Sequence, residues 1–322
     1  MSADINDPQN RPQGWERQVL EKLALAAVTE QRRARHWGIF FKLLGFIYLF
    51  ALLFFAIGWF AKRDGALPGK HTALVEVRGV ISANSPSSAD NITSGLQEAF
   101  KDKKTQGVIL RINSPGGSPV QAGYIYDEIR RLRVRYPNIP LYAVVEDICA
   151  SGGYYVAVAA DKIYVDKASL IGSIGVLMDG FGFTGTLDKL GVERRLITAG
   201  RNKGFLDPFS PLDASQKEYA QQMLDDIHQQ FIKVVREGRG KRLKETADTF
   251  SGLVWTGQKS VELGLADATG NIDYVAREII KAEDIVDFTP RENVAERLAK
   301  RFGAAMAETL WRFTMQGEAT LR

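Results

Sequence analysis

The longest uninterrupted run of apolar positions lies near the N-terminus. It reads LLGFIYLFALLFFAIGWFA, from Leu43 to Ala61, and its 19 residues include no charged side chain. A helix needs about 20 apolar residues to cross a bilayer. The pattern therefore predicts a transmembrane helix, which we place at residues 37–61 after a polar tail at residues 1–36.

A cleaved signal peptide and a buried core helix are the two alternative explanations of this run. A signal peptide has a shorter apolar region followed by a small-residue cleavage site, whereas AKRDG follows here. A core helix is disfavoured because Phe, Leu and Ile cover every face of the segment. Basic residues are more numerous before the run than after it, and this bias predicts a cytoplasmic N-terminus. The residues are Arg32, Arg33, Arg35 and Lys42 before the run, and Lys62 and Arg63 after it.

After a linker at residues 62–71, strand-like and helix-like patterns alternate. The strand-like runs are TALVEVRGVI, GVILRIN, IPLYAVVED, KIYVD and ERRLITA, and the helix-like ones include Ile92–Lys101, Val120–Arg135 and GGYYVAVAA. Such alternation predicts an α/β fold with parallel strands. Asp213 and Gln216 form a potential capping pair that opens a helix to about Arg236. We expect one soluble domain at residues 72–290, followed by an amphipathic helical segment at residues 291–322.

Composition limits the classes of function. The net charge is +4, but the surplus lies around the apolar run and forms no basic stripe, so we expect no nucleic-acid partner. Cys149 is the single cysteine, which excludes an intrachain disulfide and a cysteine-based metal site. We expect neither a metal ion nor a cofactor.

A glycine-rich turn, NSPGGSP, begins at Asn113, where a predicted strand ends and a helix starts. Consecutive glycines adopt positive φ easily and can direct backbone N–H groups toward one point, as an oxyanion hole requires. Gly117 is the best candidate donor. A plain turn is the alternative explanation.

A second junction, CASGGYYVAVAAD, places Ser151 where another strand meets a helix. A serine there lies at the positive end of the helix dipole, and the N–H group of Gly152 can also bind a developing oxyanion. Ser151 could equally serve only as an N-cap. The motif differs from the G-x-S-x-G elbow because Ala150 precedes the serine and two glycines follow it.

A loop, GRNKGFLDPFSP, carries Lys203 among apolar side chains. Desolvation lowers the pKa of a lysine, and only the neutral amine can take a proton from serine. A solvated surface lysine is the alternative. The three histidines are poor candidates for the base, because His36 precedes the apolar run, His71 follows it and His228 lies in a predicted helix. A Ser-Lys dyad is the familiar arrangement that remains.

Four motifs together resemble the signal peptide peptidase A family, in its short membrane-anchored bacterial form. They are NSPGG, ASGGYY followed by AAD, GSIGV from Gly172, and K-x-x-x-x-P-F from Lys203. The resemblance runs from about Thr72 to Asp273. It implies a Clp/crotonase-like α/β spiral and assembly into homo-oligomeric rings whose neighbouring subunits complete each active site.

The resemblance also implies the residue roles. Ser151 would be the nucleophile, Lys203 the base, Gly117 and Gly152 the oxyanion donors, and Ser173 the hydroxyl that holds the lysine amine. It implies signal peptides and other hydrophobic peptides as substrates. It further implies that the N-terminal helix anchors the domain on the outer face of the bacterial inner membrane. A crotonase-type acyl-CoA enzyme and a catalytically idle membrane scaffold are the rival hypotheses.

Overall fold

The computed structural model describes residues 14–61 and 69–290, which fall into two compact units divided between Leu67 and Pro68. Residues 1–13 of the predicted tail, most of the predicted linker and the predicted C-terminal helical segment at 291–322 lie outside the described residues.

The first unit is one helix, α1, at Trp15–Ala61. Its 47 residues correspond to a length of about 70 Å. Within the described residues, Val19–Phe54 is the one helical segment long and apolar enough to span a bilayer. Much of the predicted polar tail is therefore helical, with no break at residue 37. The reason is local, because residues 15–35 are rich in Ala, Leu, Glu, Gln and Arg, all strong helix formers.

The second unit is built on an eight-stranded sheet. Its central path has the order β6-β5-β3-β2-β1-β8, while β4 pairs with both β3 and β7. All pairs are parallel except β5 with β6, so the predicted parallel α/β class is confirmed. The strands are β1 His71–Arg78, β2 Thr105–Ser114, β3 Leu141–Ala150, β4 Lys162–Val165, β5 Leu170–Gly172, β6 Val254–Thr256, β7 Ala268–Thr269 and β8 Ile285–Asp287.

Helices complete the second unit and cover both faces of the sheet. Because side chains alternate between faces along a strand, Val108 and Leu110 enter the main core whereas Ile109 enters a smaller cluster on the opposite face. The helices are α2 Ala89–Lys101, α3 Pro119–Arg135, α4 Gly152–Ala157, α5 Thr184–Leu190, α6 Ala214–Arg239, α7 Gly257–Glu262 and α8 Ile272–Tyr274, with a 3-10 turn at Gly240–Arg242 and a π-helical turn at Val275–Ile280.

One local prediction is wrong. ERRLITA, residues 193–199, forms no strand, and Ile197 is 95% exposed. A strand is stabilised by pairing, and this segment has no paired neighbour among the described residues.

The predicted capping pair at the start of α6 is only half formed. Asp213 accepts hydrogen bonds from the N–H groups of Ser215 and Gln216. The Gln216 side chain does not complete the pair, because it accepts a hydrogen bond from Leu206 N at 2.9 Å.

A buried ion pair connects the end of α6 to the residue before β7. Arg239 is 1% exposed and donates to Asp267 at 2.8 Å and to the Gly264 carbonyl at 2.8 Å, while Arg242 donates to the other Asp267 oxygen at 3.0 Å. Burial alone would raise the pKa of Asp267, but the hydrogen bond and charge of Arg239 lower it overall. The carboxylate therefore stays charged in the folded protein.

Asp267→Asn should lower the free energy of unfolding by about 3–5 kcal/mol, because it leaves the Arg239 charge buried without its partner. Urea unfolding measures this, and Glu262→Ala, in the exposed pair with Lys259, should cost at most about 1 kcal/mol. Since the folded-state pKa of Asp267 is lowered, its contribution is present above the unfolded-state pKa. It is lost as the pH falls below about 4. Equal losses in the two variants would contradict the assignment.

Candidate active site

Four of the five predicted site residues line one cavity of about 890 Å³. They are Gly117, Ser151, Gly152 and Ser173. The cavity lies where the turn after β2 and the turn after β3 meet, with α3 and α6 contributing its walls. Several of the wall residues are large and apolar, and they are Val120, Tyr124, Tyr155, Leu177, Ile227 and Phe231.

Ser151 has an unusual backbone conformation, with φ 51° and ψ −124°. A residue other than glycine in this region carries strain of about 1–3 kcal/mol, and such strain is concentrated at functional sites. Although Ser151 precedes α4, its side chain caps none of the helix N–H groups. Its hydroxyl has no hydrogen-bond partner among the described residues, so the N-cap alternative does not account for this serine.

Ser173 lies beside Ser151 because of strand register. Ala150 at the end of β3 pairs with Gly172 at the end of β5, and Ser151 N donates to the Gly172 carbonyl at 2.9 Å. Ser173 also has φ 51°, and its N–H group donates to the Leu253 carbonyl at 2.8 Å. Its hydroxyl likewise has no partner within the described part of the chain. Two strained serines with free hydroxyls thus border the same cavity.

The glycine turn packs directly on the serine turn. A Cβ atom at Gly116 would lie 2.6 Å from Gly152 N, and one at Gly117 would lie 2.1 Å from the Ile81 carbonyl oxygen. Both glycines also have positive φ, so a larger residue would displace the turn. The N–H groups of Gly117 and Gly152 have no acceptor among the described residues. These two donors are available to an oxygen bound in the cavity.

Ser114 supports this turn, although it is not among the site residues predicted from the sequence. Its hydroxyl donates to the Gly79 carbonyl at 2.6 Å and accepts from Gly116 N at 3.1 Å. Ser114 lies inside NSPGG, so the motif contained the signal. The cavity walls Tyr124, Tyr155 and Phe231 had no comparable signal, because apolar residues at helical spacing indicate a core as readily as a binding surface.

Lys203 lies outside the residues that line the cavity, and its side chain is exposed. It belongs to residues 176–213, which we call the arm. The arm is held together by contacts of its own, including Phe183 stacked on Phe209 at 5.4 Å and an ion pair between Arg194 and Asp207 at 3.3 Å. A single chain therefore presents the serine, the oxyanion donors and Ser173 in one place and Lys203 in another.

Cys149 is a potential nucleophile of a different type, and it lies two residues before Ser151. Its side chain is fully buried, and burial raises the pKa of the thiol far above neutrality. The nucleophilic form of cysteine is the thiolate. Cys149 is therefore a core residue, whereas Ser151 lines the cavity with a free hydroxyl.

Comparison with known proteins places these residues in a family context. The profile of peptidase family S49 matches residues 134–285, which include Ser151, Ser173 and Lys203. A candidate protease of Synechocystis sp. is 31% identical over 201 residues, which cover 62% of this chain and 70% of that protein. A candidate signal peptide peptidase SppA of Enterococcus faecium is 28% identical over 235 residues, with 70% of this chain and 67% of that protein covered.

A longer relative matches over a smaller part of its length. A protein of Brucella abortus named Na(+)/H(+) antiporter NhaA is 47% identical over 177 residues, which cover 55% of this chain. The matched residues make up 24% of the Brucella protein, so the chain spans about a quarter of that relative.

Proposed function

The chain belongs to peptidase family S49, and we propose that it is a serine endopeptidase with Ser151 as nucleophile and Lys203 as base. The observation that carries the proposal is the meeting of a strained serine with a free hydroxyl and two free glycine N–H groups in one cavity. The parallel sheet and the family membership agree with the predicted Clp/crotonase-like α/β fold.

The chemistry follows from these groups. Neutral Lys203 accepts the proton of the Ser151 hydroxyl, and Oγ attacks the peptide carbonyl. The N–H groups of Gly117 and Gly152 donate to the oxyanion that forms. The Lys203 ammonium then protonates the leaving amine, and a water molecule hydrolyses the acyl-enzyme by the same route. The Ser173 hydroxyl accepts a hydrogen bond from the lysine amine and holds it beside Ser151.

We propose that Lys203 reaches this position in the cavity of a second copy of the chain, within a homo-oligomeric ring. The arm supports this step, because Lys203 is exposed in a single chain and a lysine must be desolvated before its amine can act as a base. Packing against a neighbouring subunit supplies that desolvation. The arm also exposes apolar side chains that such packing would cover. Those more than half exposed are Leu177, Met178, Phe181, Leu190, Val192, Ile197 and Leu212.

The proposed setting is the outer face of the bacterial inner membrane. The α1 segment Val19–Phe54 has the length and apolar character of a membrane anchor, and the basic residues before its apolar run favour a cytoplasmic N-terminus. An anchor keeps the peptidase near hydrophobic peptides, including the remnants of signal peptides. The apolar cavity walls and the relative named SppA support this substrate class.

A fluorophosphonate probe tests the proposal on the full chain in detergent. We expect one covalent adduct, mapped to Ser151 by mass spectrometry, and a parallel loss of cleavage of a hydrophobic peptide. The catalytically idle scaffold predicts neither labelling nor cleavage. Cleavage that persists after complete labelling of Ser151 would contradict the assignment of the nucleophile.

A further inference from the structure

His228 lies on α6 between residues that line the cavity, and the proposed reaction gives it no role. Ile227, Gln230 and Phe231 line the cavity, whereas His228 does not. Its Nε2 atom lies 3.1 Å from the carbonyl oxygen of Ile174. A carbonyl oxygen can only accept a hydrogen bond, so Nε2 carries a proton and donates. The neutral ring in this tautomer and the charged ring can both make this bond.

The hydrogen bond from His228 falls on the residue directly after Ser173. Ser173 has φ 51°, and a residue other than glycine keeps such a conformation only where its surroundings hold it. Before Ser173, the pairing of β5 with β3 and β6 fixes the chain, and Ser173 N donates to the Leu253 carbonyl at 2.8 Å. The conformation also requires a restraint on the side that follows Ser173.

That restraint has two parts, and both act on Ile174. Its side chain is fully buried in the main core, and its carbonyl accepts the hydrogen bond from His228. No other donor to this oxygen is found within the described part of the chain. Beyond Gly175 the chain enters the arm, in which residues 177–183 are all exposed. Among the described residues, the bond from His228 is therefore the last one that reaches this segment from outside before the arm begins.

We infer that His228 is a positioning residue, which holds the Ser173 hydroxyl in the place where it accepts from the lysine amine. His228 does not line the cavity, so it acts through Ser173 and not on the substrate. The inference rests on the proposed peptidase function and adds a residue to it. It implies that loss of the His228 donor slows the chemical step only while residue 173 has a hydroxyl to be placed.

His228→Phe tests the inference in the full detergent-solubilised chain, because it keeps a ring and removes the donor. The kcat for a fluorogenic hydrophobic peptide should fall by about tenfold or more, since a small displacement of a catalytic group is costly. KM should stay within about twofold of the wild-type value, because substrate binding does not involve His228. His228→Ala should show the same loss. His228→Gln should keep most of the wild-type kcat, because its amide N–H can donate in place of Nε2.

Ser173→Ala supplies the background that separates positioning from a general structural role. In that background His228→Phe should change kcat by less than about twofold, because two substitutions that remove one interaction are not additive. A general loosening of the fold would instead lower kcat by the same factor with and without the Ser173 hydroxyl.

Gln229→Leu is the matched control, since Gln229 is exposed on α6 beside His228 and does not line the cavity. Its kcat should equal that of the wild type. Equal losses in the two backgrounds would overturn the inference and leave the peptidase assignment intact, as would a wild-type kcat in both His228→Phe and His228→Ala. A wild type that labels at no serine and cleaves no peptide would instead overturn the proposed function.

Discussion

Replacing Ser151 with alanine should lower kcat/KM for peptide cleavage by at least about 10³-fold, since covalent catalysis is lost with the nucleophile. Residual cleavage would come from the N–H donors of Gly117 and Gly152 and from substrate binding alone. A fluorogenic peptide assay on the detergent-solubilised chain measures the loss. Ser94→Ala, an exposed serine on α2, should keep wild-type activity.

Stability measurements separate loss of chemistry from loss of fold. Alanine has the same strain at φ 51° as serine, whereas glycine adopts this conformation without it. Ser151→Gly should therefore be as inactive as Ser151→Ala but more stable by about 1–2 kcal/mol in urea unfolding. Substantial activity in either variant would contradict the role of Ser151. Equal stability would show that the backbone at this position is not strained.

Much of the second unit could be predicted because its pattern is local. The strands β1 to β4 alternate with α2, α3 and α4, and glycine, proline or serine marks each junction at which one of these strands leads into a helix. The glycine turn could be predicted only in part. Its conformational freedom identified Gly117, but the contact of Gly116 with the serine turn depends on two strand ends meeting in space.

The arm could not be predicted from local pattern. ERRLITA alternates as a strand does, yet the segment remains exposed because strand formation depends on a partner that local alternation does not specify. The positive φ of Ser151 and Ser173 is equally invisible in the sequence, since it arises from the register of β3 on β5. The apolar residues around Lys203 in the sequence and the family resemblance both indicate a base, yet a single chain leaves Lys203 exposed.

Lys203→Ala should lower kcat/KM about as strongly as Ser151→Ala, because groups that act as a unit lose activity together. Lys203→Arg should be equally inactive, since a guanidinium keeps its proton at every pH at which the protein is folded. The same peptide assay applies, with Lys189→Ala on α5 as the control that removes an exposed arm lysine. Activity retained in Lys203→Arg would exclude Lys203 as the base.

Co-expression of Ser151→Ala with Lys203→Ala distinguishes a shared dyad from one within a single chain. In a ring, each interface joins two different surfaces, so a Lys203→Ala subunit can supply Ser151 to a site whose lysine comes from a neighbouring Ser151→Ala subunit. Random mixing in equal amounts should then restore about a quarter of the wild-type activity. A working site needs a Lys203→Ala subunit at the position that supplies Ser151 and a Ser151→Ala subunit at the position that supplies Lys203. Separately purified variants should remain inactive, and a double variant carrying both substitutions, co-expressed with either single one, should restore nothing. Mixed oligomers without activity would show that Ser151 and Lys203 act within one chain, and the exposed arm would then have to fold back onto its own cavity.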